Sequence, residues 1–358
     1  MINVTKPFLP PKAEFNQYID SIWANNWLTN HGPLVGDLES KLAEYLGLLH
    51  LNYVSNGTIA LQISIKALEL EGEIITTPFS YIATASSIVW EGLKPVFVDI
   101  CPDTLNIDPQ KIEAKITPQT SAILATHVYG NPCQVEAIQQ IADQYDLKII
   151  YDAAHCFGTK INGESILNFG DISTISFHAT KLFHTTEGGG IVTPHQKYFQ
   201  KIKQLRNFGH TSASSFDGVG INGKNSEFHA AMGLANLKHI DAIMEKRKAQ
   251  YLLYQQQLND PRFTFVKINQ EVDFNFAYCP IFFQSEEALL ITLKELNNHY
   301  IFPRRYFYPA LNTIDYLKGD QCEIAESLAA RVLCLPLYHS LTQSEQKLVC
   351  SKILESTP

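Results

Sequence analysis

Short apolar runs alternate with amphipathic segments along the first two thirds of the chain. The apolar runs predict strands, which fall at 51–54, 73–77, 95–99, 122–128, 147–152, 172–177 and 191–193. Helical spacing of apolar residues elsewhere predicts helices at 14–25, 35–46, 82–91, 135–145 and 227–258, and another that follows the turn at 55–58 and ends at residue 70. Near-continuous apolar strands that alternate with helices are typical of an α/β domain with a largely parallel sheet.

The pattern changes from residue 263 onward. Strand-like segments at 263–267 and 276–283 are followed by helical segments at 286–299 and 343–353. This succession is typical of a smaller α+β domain. The sequence therefore predicts a large domain over 1–245 and a small C-terminal domain over 246–358.

Composition narrows the class of protein. Apolar residues make up 45% and charged residues 18% of the 358 positions, which is typical of a globular enzyme. The formal net charge of -8, without a basic cluster, argues against a general nucleic-acid binder. Seven scattered cysteines with no C-x-x-C spacing indicate reduced thiols in a cytoplasmic protein. The sequence has neither an apolar run long enough to span a membrane nor the apolar core of a signal peptide.

Two residues at predicted strand ends are candidates for cofactor chemistry, because ligands gather at the carboxyl ends of parallel strands. Asp152 ends the run KIIYD, and Lys181 follows the run 172–177. A carboxylate in such a place is costly to bury without a cationic partner, and the ring nitrogen of pyridoxal phosphate would supply one. Lys181 would then carry the cofactor covalently. The alternatives are a helix N-cap for Asp152 and a solvated surface charge for Lys181.

The turn at 56–58 is a candidate phosphate site. Asn56, Gly57 and Thr58 open a predicted helix directly after a strand, and amides at a helix start bind anions. Ser176, at another strand end, would add a second hydroxyl, and Tyr81 would stack on the pyridine ring. A plain turn and an ordinary core tyrosine are the alternatives.

Two other patterns resemble known binding motifs but lack the sequence context that those motifs require. Residues 218–223 fit G-x-G-x-x-G, but a Ser-rich loop precedes them where a Rossmann site requires a strand. Four histidines lie at 127, 155, 178 and 184, and their spacing matches no standard metal site. We therefore expect neither a dinucleotide site nor a metal.

The chain resembles the DegT-type nucleotide-sugar aminotransferases over nearly its whole length. Eight segments in this order carry the resemblance: NHGPLVGDLE (30–39), NYVSNGTIAL (52–61), TTPFSYIATASSI (76–88), KPVFVDI (94–100), YDAAHCFG (151–158), SFHATKLFHTTEGGG (176–190), GINGKNSEFHAAMGL (220–234) and RRYFYPALN (304–312). These enzymes have the type I fold of pyridoxal phosphate (PLP) dependent transferases. The resemblance implies a mostly parallel seven-stranded sheet between helices, with residues 1–36 near the active site.

Position by position, the resemblance implies a complete PLP site. Lys181 and Asp152 would be the catalytic pair, and the other cofactor-binding residues would be Gly57, Thr58, Tyr81, His155, Ser176, Asn222 and Lys224. His155 would pack on the ring face opposite Tyr81. The loop at Asn222 and Lys224 would reach the phosphate of a neighbouring subunit, so the resemblance also implies a homodimer with shared active sites.

The same resemblance implies the reaction. Members that dehydrate sugars carry histidine at the lysine position, so Lys181 favours transamination from L-glutamate to a keto-sugar nucleotide. The expected acceptor is dTDP-4-keto-6-deoxyglucose, with a 3-keto sugar as the alternative, in the setting of surface-polysaccharide (O-antigen) assembly. A dehydratase and a regulatory, non-catalytic homologue are less favoured. The candidate substrate contacts, each with packing or solvation as its alternative, are Thr29, Gly32, His184, Glu187, Arg305, Tyr306 and Tyr308.

Overall fold

A computed structural model describes all 358 residues of the chain. The helices are α1 (Lys12–Asn25), α2 (Pro33–Leu46), α3 (Gly57–Ala67), α4 (Ile82–Trp90), α5 (Val135–Tyr145), α6 (Gln196–Leu205), α7 (Glu227–Leu237), α8 (Ile240–Gln257), α9 (Glu286–Asn298), α10 (Glu323–Arg331) and α11 (Gln343–Ser356). The first ten strands are β1 (Ile2–Asn3), β2 (Leu51–Val54), β3 (Glu73–Thr76), β4 (Lys94–Phe97), β5 (Thr120–Thr126), β6 (Lys148–Asp152), β7 (Lys160–Ile161), β8 (Glu164–Ser165), β9 (Ile172–Ser176) and β10 (Gly189–Val192). Five more follow: β11 (Phe263–Phe265), β12 (Val272–Asp273), β13 (Pro280–Phe283), β14 (Ile301–Phe302) and β15 (Val332–Cys334).

A seven-stranded sheet in the order β2-β10-β9-β6-β5-β3-β4 forms the centre of the large domain. All neighbouring pairs are parallel except the two that involve β10, which runs antiparallel to both β2 and β9. The six other strands therefore point the same way, and their carboxyl ends lie along one edge. The predicted mostly parallel sheet is confirmed.

Both faces of this sheet are covered, which explains why its strands carry apolar residues on both faces. Along β5, Ile123 and Ala125 belong to one buried cluster, while Ala122 and Leu124 belong to another. Successive side chains of a strand point to opposite faces. The two clusters are thus the two layers between the sheet and its helices.

The C-terminal part is built on the small sheet β11-β13-β15. Helices α8, α9 and α11 contribute to its apolar core, which also receives Ile2 from β1. Strand β1 pairs in parallel with β14, so the N-terminus lies against the C-terminal part. Helix α8 crosses the predicted boundary at 245/246 and packs Ile243 into the large core and Tyr254 into the small one. The domain division stays a prediction.

Several elements differ from the sequence prediction. The segment 227–258 is two helices, because the chain turns at residues 238–239, where the N–H of His239 donates to the carbonyl of Asn236. The segment 276–283 is a strand only from Pro280, since Phe276 has a φ of 52°. Helices α6 and α10 were not predicted. No helix is long and apolar enough to cross a membrane, no cluster of metal-ligating side chains is present, and all seven cysteines are free.

Candidate active site

A cavity of about 590 Å³ opens at the carboxyl ends of β2, β6 and β9. Most of the residues predicted to bind the cofactor lie around it, because the parallel strands deliver their C-terminal residues to one edge. The predicted residues that line the cavity are Gly57, Thr58, Tyr81, Asp152, His155, Ser176, Lys181, Glu187 and Tyr306.

Asp152 is the last residue of β6, and its side chain is held in one orientation. One carboxylate oxygen, Oδ2, accepts a hydrogen bond from the Thr84 hydroxyl at 2.7 Å, and Oδ1 accepts one from the Ala154 N–H at 3.1 Å. The residue is 6% exposed. Burial raises the pKa of this carboxyl, and the two hydrogen bonds and the nearby Lys181 partly oppose the rise. A buried acid of this kind is suited to a cationic partner such as a protonated ring nitrogen.

Lys181 lies in the loop between β9 and β10. Its Nζ donates a hydrogen bond to the Tyr278 hydroxyl at 3.1 Å. The Lys181 N–H donates to the His178 carbonyl, and the Ala179 N–H donates to Thr186, so the loop is closed on itself. The lysine amine is therefore placed in the cavity by a hydroxyl from the C-terminal part of the chain.

The start of α3 provides the donors for an anion. The Asn56 side chain caps the helix by accepting from the Ile59 N–H at 2.8 Å. The N–H groups of Gly57 and Thr58 belong to the first turn, where an α-helix offers no internal acceptor. A Cβ at Gly57 would lie 3.1 Å from the Cβ of Ser176, so glycine lets the helix start approach the Ser176 hydroxyl.

Aromatic groups form the walls of the cavity. Tyr81 is 57% exposed and stands at its rim. The His155 ring is buried and stacks on the Phe307 ring at a centroid distance of 5.5 Å. Its Nδ1 accepts from the Tyr129 N–H at 3.2 Å, which assigns the proton of the neutral ring to Nε2. Burial, with the nearby Lys181 cation, holds the pKa of His155 well below its usual range, so the ring is neutral.

Asn222 and Lys224 lie away from this cavity in the single chain. The Lys224 Nζ donates to the Asn207 side chain at 2.8 Å, and Asn222 forms a β-bridge with Asn207. Lys224 lines a separate polar cavity of about 890 Å³, together with Lys203, Arg206 and other residues. Their predicted role toward a neighbouring subunit stays a prediction.

The predicted contacts of the N-terminal segment also lie outside the cavity. The Thr29 carbonyl accepts from the Trp27 indole N–H at 2.6 Å. Gly32 is the N-cap of α2, and a Cβ there would lie 2.6 Å from the carboxyl carbon of Glu227. That buried carboxylate accepts from the N–H groups of Leu34 and Val35. Glycine at 32 is therefore explained by close packing alone, and substrate contact at 29 and 32 stays a prediction.

The remaining substrate candidates are divided among three places. His184 is 3% exposed, and its ring Nε2 lies 2.7 Å from the Phe8 carbonyl oxygen, so it fixes the N-terminal segment. Arg305 and Tyr308 line a neighbouring cavity of about 750 Å³, where the guanidinium lies 3.5 Å from the Tyr308 ring centroid. Only Glu187 and Tyr306 line the cavity of Lys181.

The residues around the cavity fit pyridoxal phosphate. A buried acid, a lysine amine, a phosphate-sized set of N–H and hydroxyl donors and flanking rings are the groups that this cofactor requires. A Cβ at Gly189 would lie 2.5 Å from backbone atoms of Asn56, so the triple glycine also brings β10 close to the helix start. Sequence reasoning missed Thr84, Tyr278 and Phe307, which complete the site; only the spacing Tyr81–Thr84 on one helix turn could have indicated the first.

The fold and the cavity define a PLP-dependent transferase of the type I class. The chain matches the DegT/DnrJ/EryC1/StrS aminotransferase family over residues 11–354 and belongs to that family. It is 46% identical to a dTDP-4-amino-4,6-dideoxy-D-glucose transaminase of Shigella dysenteriae, over 99% of this chain and 98% of the relative, and 44% identical to one of Escherichia coli, over 96% and 95%.

Solved structures agree with this assignment. The structure of DesI, determined in the presence of its TDP-sugar product, is 31% identical and superimposes with a TM-score of 0.94, covering 99% of this chain and 93% of DesI. The resemblance deduced from the eight motifs is confirmed, together with the type I fold, the PLP cofactor and the class of sugar aminotransferase.

Proposed function

We propose that the protein transfers an amino group from L-glutamate to dTDP-4-keto-6-deoxy-D-glucose and forms dTDP-4-amino-4,6-dideoxy-D-glucose. The observation that carries this proposal is the 46% identity, over almost the full length, to a relative that bears the name of that transaminase. Lysine at 181, in one cavity with the buried Asp152, supports transamination over dehydration.

PLP supplies the electron sink and the carbon that carries the amino group between the two substrates. Side chains and N–H groups of the protein move the proton and hold the cofactor. The Lys181 amine, released when the donor binds, moves the proton from the donor Cα as general base and general acid. Asp152, whose carboxylate is oriented by Thr84 and the Ala154 N–H, would accept a hydrogen bond from the ring nitrogen of the cofactor. Gly57, Thr58 and Ser176 bind the phosphate.

The walls of the cavity support a proposal for how the substrate is arranged. Tyr81 and His155 would hold the two faces of the cofactor ring, and the groups at the start of α3 would hold its phosphate. We place the sugar beside Glu187 and Tyr306, because these two predicted substrate contacts line the same cavity. Among the seven predicted substrate contacts, these two have the strongest support from position. Arg305 and Tyr308 contact the nucleotide in the adjoining cavity, whose lining shares Tyr81 and Tyr306.

The working form is a homodimer in which Asn222 and Lys224 of one subunit reach the cofactor phosphate of the other. Lys224 supports this proposal because it is only half-buried and no carboxylate pairs with it. The enzyme acts in the cytoplasm and supplies an amino sugar for surface polysaccharide, the O-antigen of lipopolysaccharide.

A panel of 3-keto and 4-keto sugars linked to dTDP, UDP and GDP tests the proposal. Each is incubated with L-glutamate, 2-oxoglutarate is measured, and the amino position of the product is determined by NMR. We expect the fastest turnover with the dTDP-linked 4-keto sugar and nitrogen at C4.

Lys181→Ala should abolish product, whereas Lys318→Ala, which removes an exposed lysine, should not. Nitrogen at C3, or a faster reaction with UDP or GDP sugars, would refute the proposed acceptor. Failure to form 2-oxoglutarate with every sugar would refute the proposed reaction as a whole.

A further inference from the structure

Arg247, on α8, is a buried cation without an anionic partner. It is 4% exposed, and no carboxylate forms an ion pair with it. Its single hydrogen bond runs from Nη1 to the Ala277 carbonyl at 3.1 Å, and its Nε is enclosed without an acceptor. Burial lowers the pKa of the guanidinium to about 10, so the group is still charged at neutral pH. A guanidinium has five N–H donors, and most of them lack an acceptor on the chain.

A small cavity of about 20 Å³ adjoins this guanidinium. Its walls come from the N-terminal segment, the loop of Lys181 and the C-terminal part of the chain. The lining residues besides Arg247 are Val4, Thr5, Thr180, Ala277, Tyr278, Tyr306, Leu335 and Leu337. This volume is enough for one water molecule or one ion of similar size. Three of these residues, Thr180, Tyr278 and Tyr306, also form part of the wall of the active-site cavity.

We propose that this cavity is a binding site for a monatomic anion, chloride in solution, held against the Arg247 guanidinium. A buried charge is stabilised when it is paired, and the walls at Val4, Leu335 and Leu337 are apolar. A water molecule would accept one or two of the free N–H groups but would leave the charge uncompensated. A carboxylate has three heavy atoms and is too large for the cavity.

The anion stabilises the place where the N-terminal segment, the loop of Lys181 and the C-terminal part of the chain meet. Here the Thr5 hydroxyl donates to the Thr180 carbonyl at 3.3 Å, and the Leu337 N–H donates to the Val4 carbonyl at 3.0 Å. Tyr278 lines this small cavity, and its hydroxyl accepts a hydrogen bond from the Lys181 Nζ. An ion bound to Arg247 therefore joins the N-terminal segment to both parts of the fold, and its main effect is on stability.

Bromide, which scatters X-rays anomalously, locates the site directly. Crystals of the PLP-loaded wild-type protein are grown or soaked in sodium bromide and measured at the bromine edge. We expect an anomalous peak at hydrogen-bond distance from the Arg247 guanidinium. A cavity that holds only water, or atoms of the donor substrate, would overturn the proposal, and this measurement needs no variant that must fold.

Thermal unfolding in solution tests whether chloride binds there at moderate concentration. The wild-type holoenzyme is compared in sodium chloride and sodium gluconate at equal ionic strength, because gluconate is too large for the cavity. We expect a higher midpoint in chloride by about 2 to 4 °C. The difference should vanish in Arg247→Met and persist in Lys246→Gln, which removes an exposed charge from the same helix. A wild type without the difference, or Arg247→Met with the full difference, would overturn the proposal.

Discussion

Both carboxylate oxygens of Asp152 accept hydrogen bonds from the protein, one from the Thr84 hydroxyl and one from the Ala154 N–H. In Asp152→Asn the amide nitrogen can donate to the Thr84 hydroxyl, which is able to accept, so we expect the fold to survive. The negative charge that holds the ring nitrogen protonated is lost, and we expect turnover to fall by at least about 100-fold. Steady-state assays with glutamate and the keto sugar measure the fall.

The matched change is Thr84→Val, which removes the hydroxyl but keeps the carboxylate. It should cost about 10-fold or less, because one hydrogen bond to a charged group is lost. An Asp152→Asn enzyme within about threefold of wild type would mean that the ring nitrogen has another partner. The visible spectrum of each purified variant shows whether the cofactor is retained.

Tyr278 offers a second test at the scale of the residue. Its hydroxyl accepts from the Lys181 Nζ at 3.1 Å, and Tyr278→Phe removes that acceptor while keeping the ring. We expect kcat to fall about 5- to 10-fold, the equivalent of one hydrogen bond that positions the amine. Tyr316→Phe, which loses a surface hydrogen bond to Ser86, is the control. Equal rates for both variants would show that the Tyr278 hydroxyl does not position the lysine.

Sequence alone indicated one part of this site and not the other, for a physical reason. Asp152 and Ser176 end strands and Lys181 lies in the loop after one, and parallel strands bring such residues to one edge. Tyr278 comes from the C-terminal part of the chain, almost a hundred residues beyond the lysine, before the strand β13. No local pattern marks it, since only the packing of the two parts of the fold brings the two side chains together.

At the scale of the element, the start of α3 depends on close contact between a helix and a strand. A Cβ on Gly57 would lie 3.1 Å from Cβ and 3.4 Å from Oγ of Ser176. Gly57→Ala should therefore push the Ser176 hydroxyl aside and weaken PLP binding about 10-fold, although alanine favours the helix itself. Titration of the apoenzyme with PLP, followed by absorbance, measures the change.

Gly36, within α2, is the matched glycine, because a Cβ there meets nothing within 4 Å. Gly36→Ala should leave PLP affinity unchanged and raise the free energy of unfolding by about 0.5 to 1 kcal/mol. If Gly57→Ala binds PLP as tightly as Gly36→Ala does, the contact between helix start and Ser176 does not shape the phosphate site.

Elements with a clear apolar period were predicted from the sequence, whereas the joints between them were not. Helix α5 matches its predicted bounds, and β2 does as well. The join between α7 and α8 was missed because apolar residues continue across it. Contacts with distant parts of the chain hold the end of α7. The Asn236 side chain donates to the His184 carbonyl at 2.9 Å. Lys238 and His239 both lie within 4 Å of the Glu14 carboxylate.

At the scale of the molecule, the mostly parallel sheet and its two covering layers follow from the alternation of strands and helices, but the strand order and the antiparallel direction of β10 do not. That strand follows β9 after the loop 177–188, which contains no helix, so the chain returns beside β9 as a hairpin and does not cross a face of the sheet. Close packing explains the glycines at 189 and 190 of this strand. A Cβ on either residue would lie within 3 Å of an atom of a neighbouring strand or of the start of α3. The loop that the hairpin creates is the one that carries Lys181.

The proposed sharing of active sites between subunits makes a prediction for mixed dimers. In Lys181→Ala a subunit lacks the lysine of its own site, and in Lys224→Ala it lacks the group that reaches its partner's phosphate. We expect each variant alone to be nearly inactive. In a dimer with one subunit of each kind, one site has lost both residues and the other has lost neither.

Unfolding and refolding the two variants together should therefore restore about a quarter of wild-type activity, since half of the randomly formed dimers are mixed and each has one intact site. Each variant refolded alone, at the same concentration, is the control. Sedimentation measures the oligomeric state in parallel. Mixtures that stay as inactive as their components, although dimers form, would place Lys224 at its own subunit's site, whereas a fully active Lys224→Ala protein would place Lys224 outside any site.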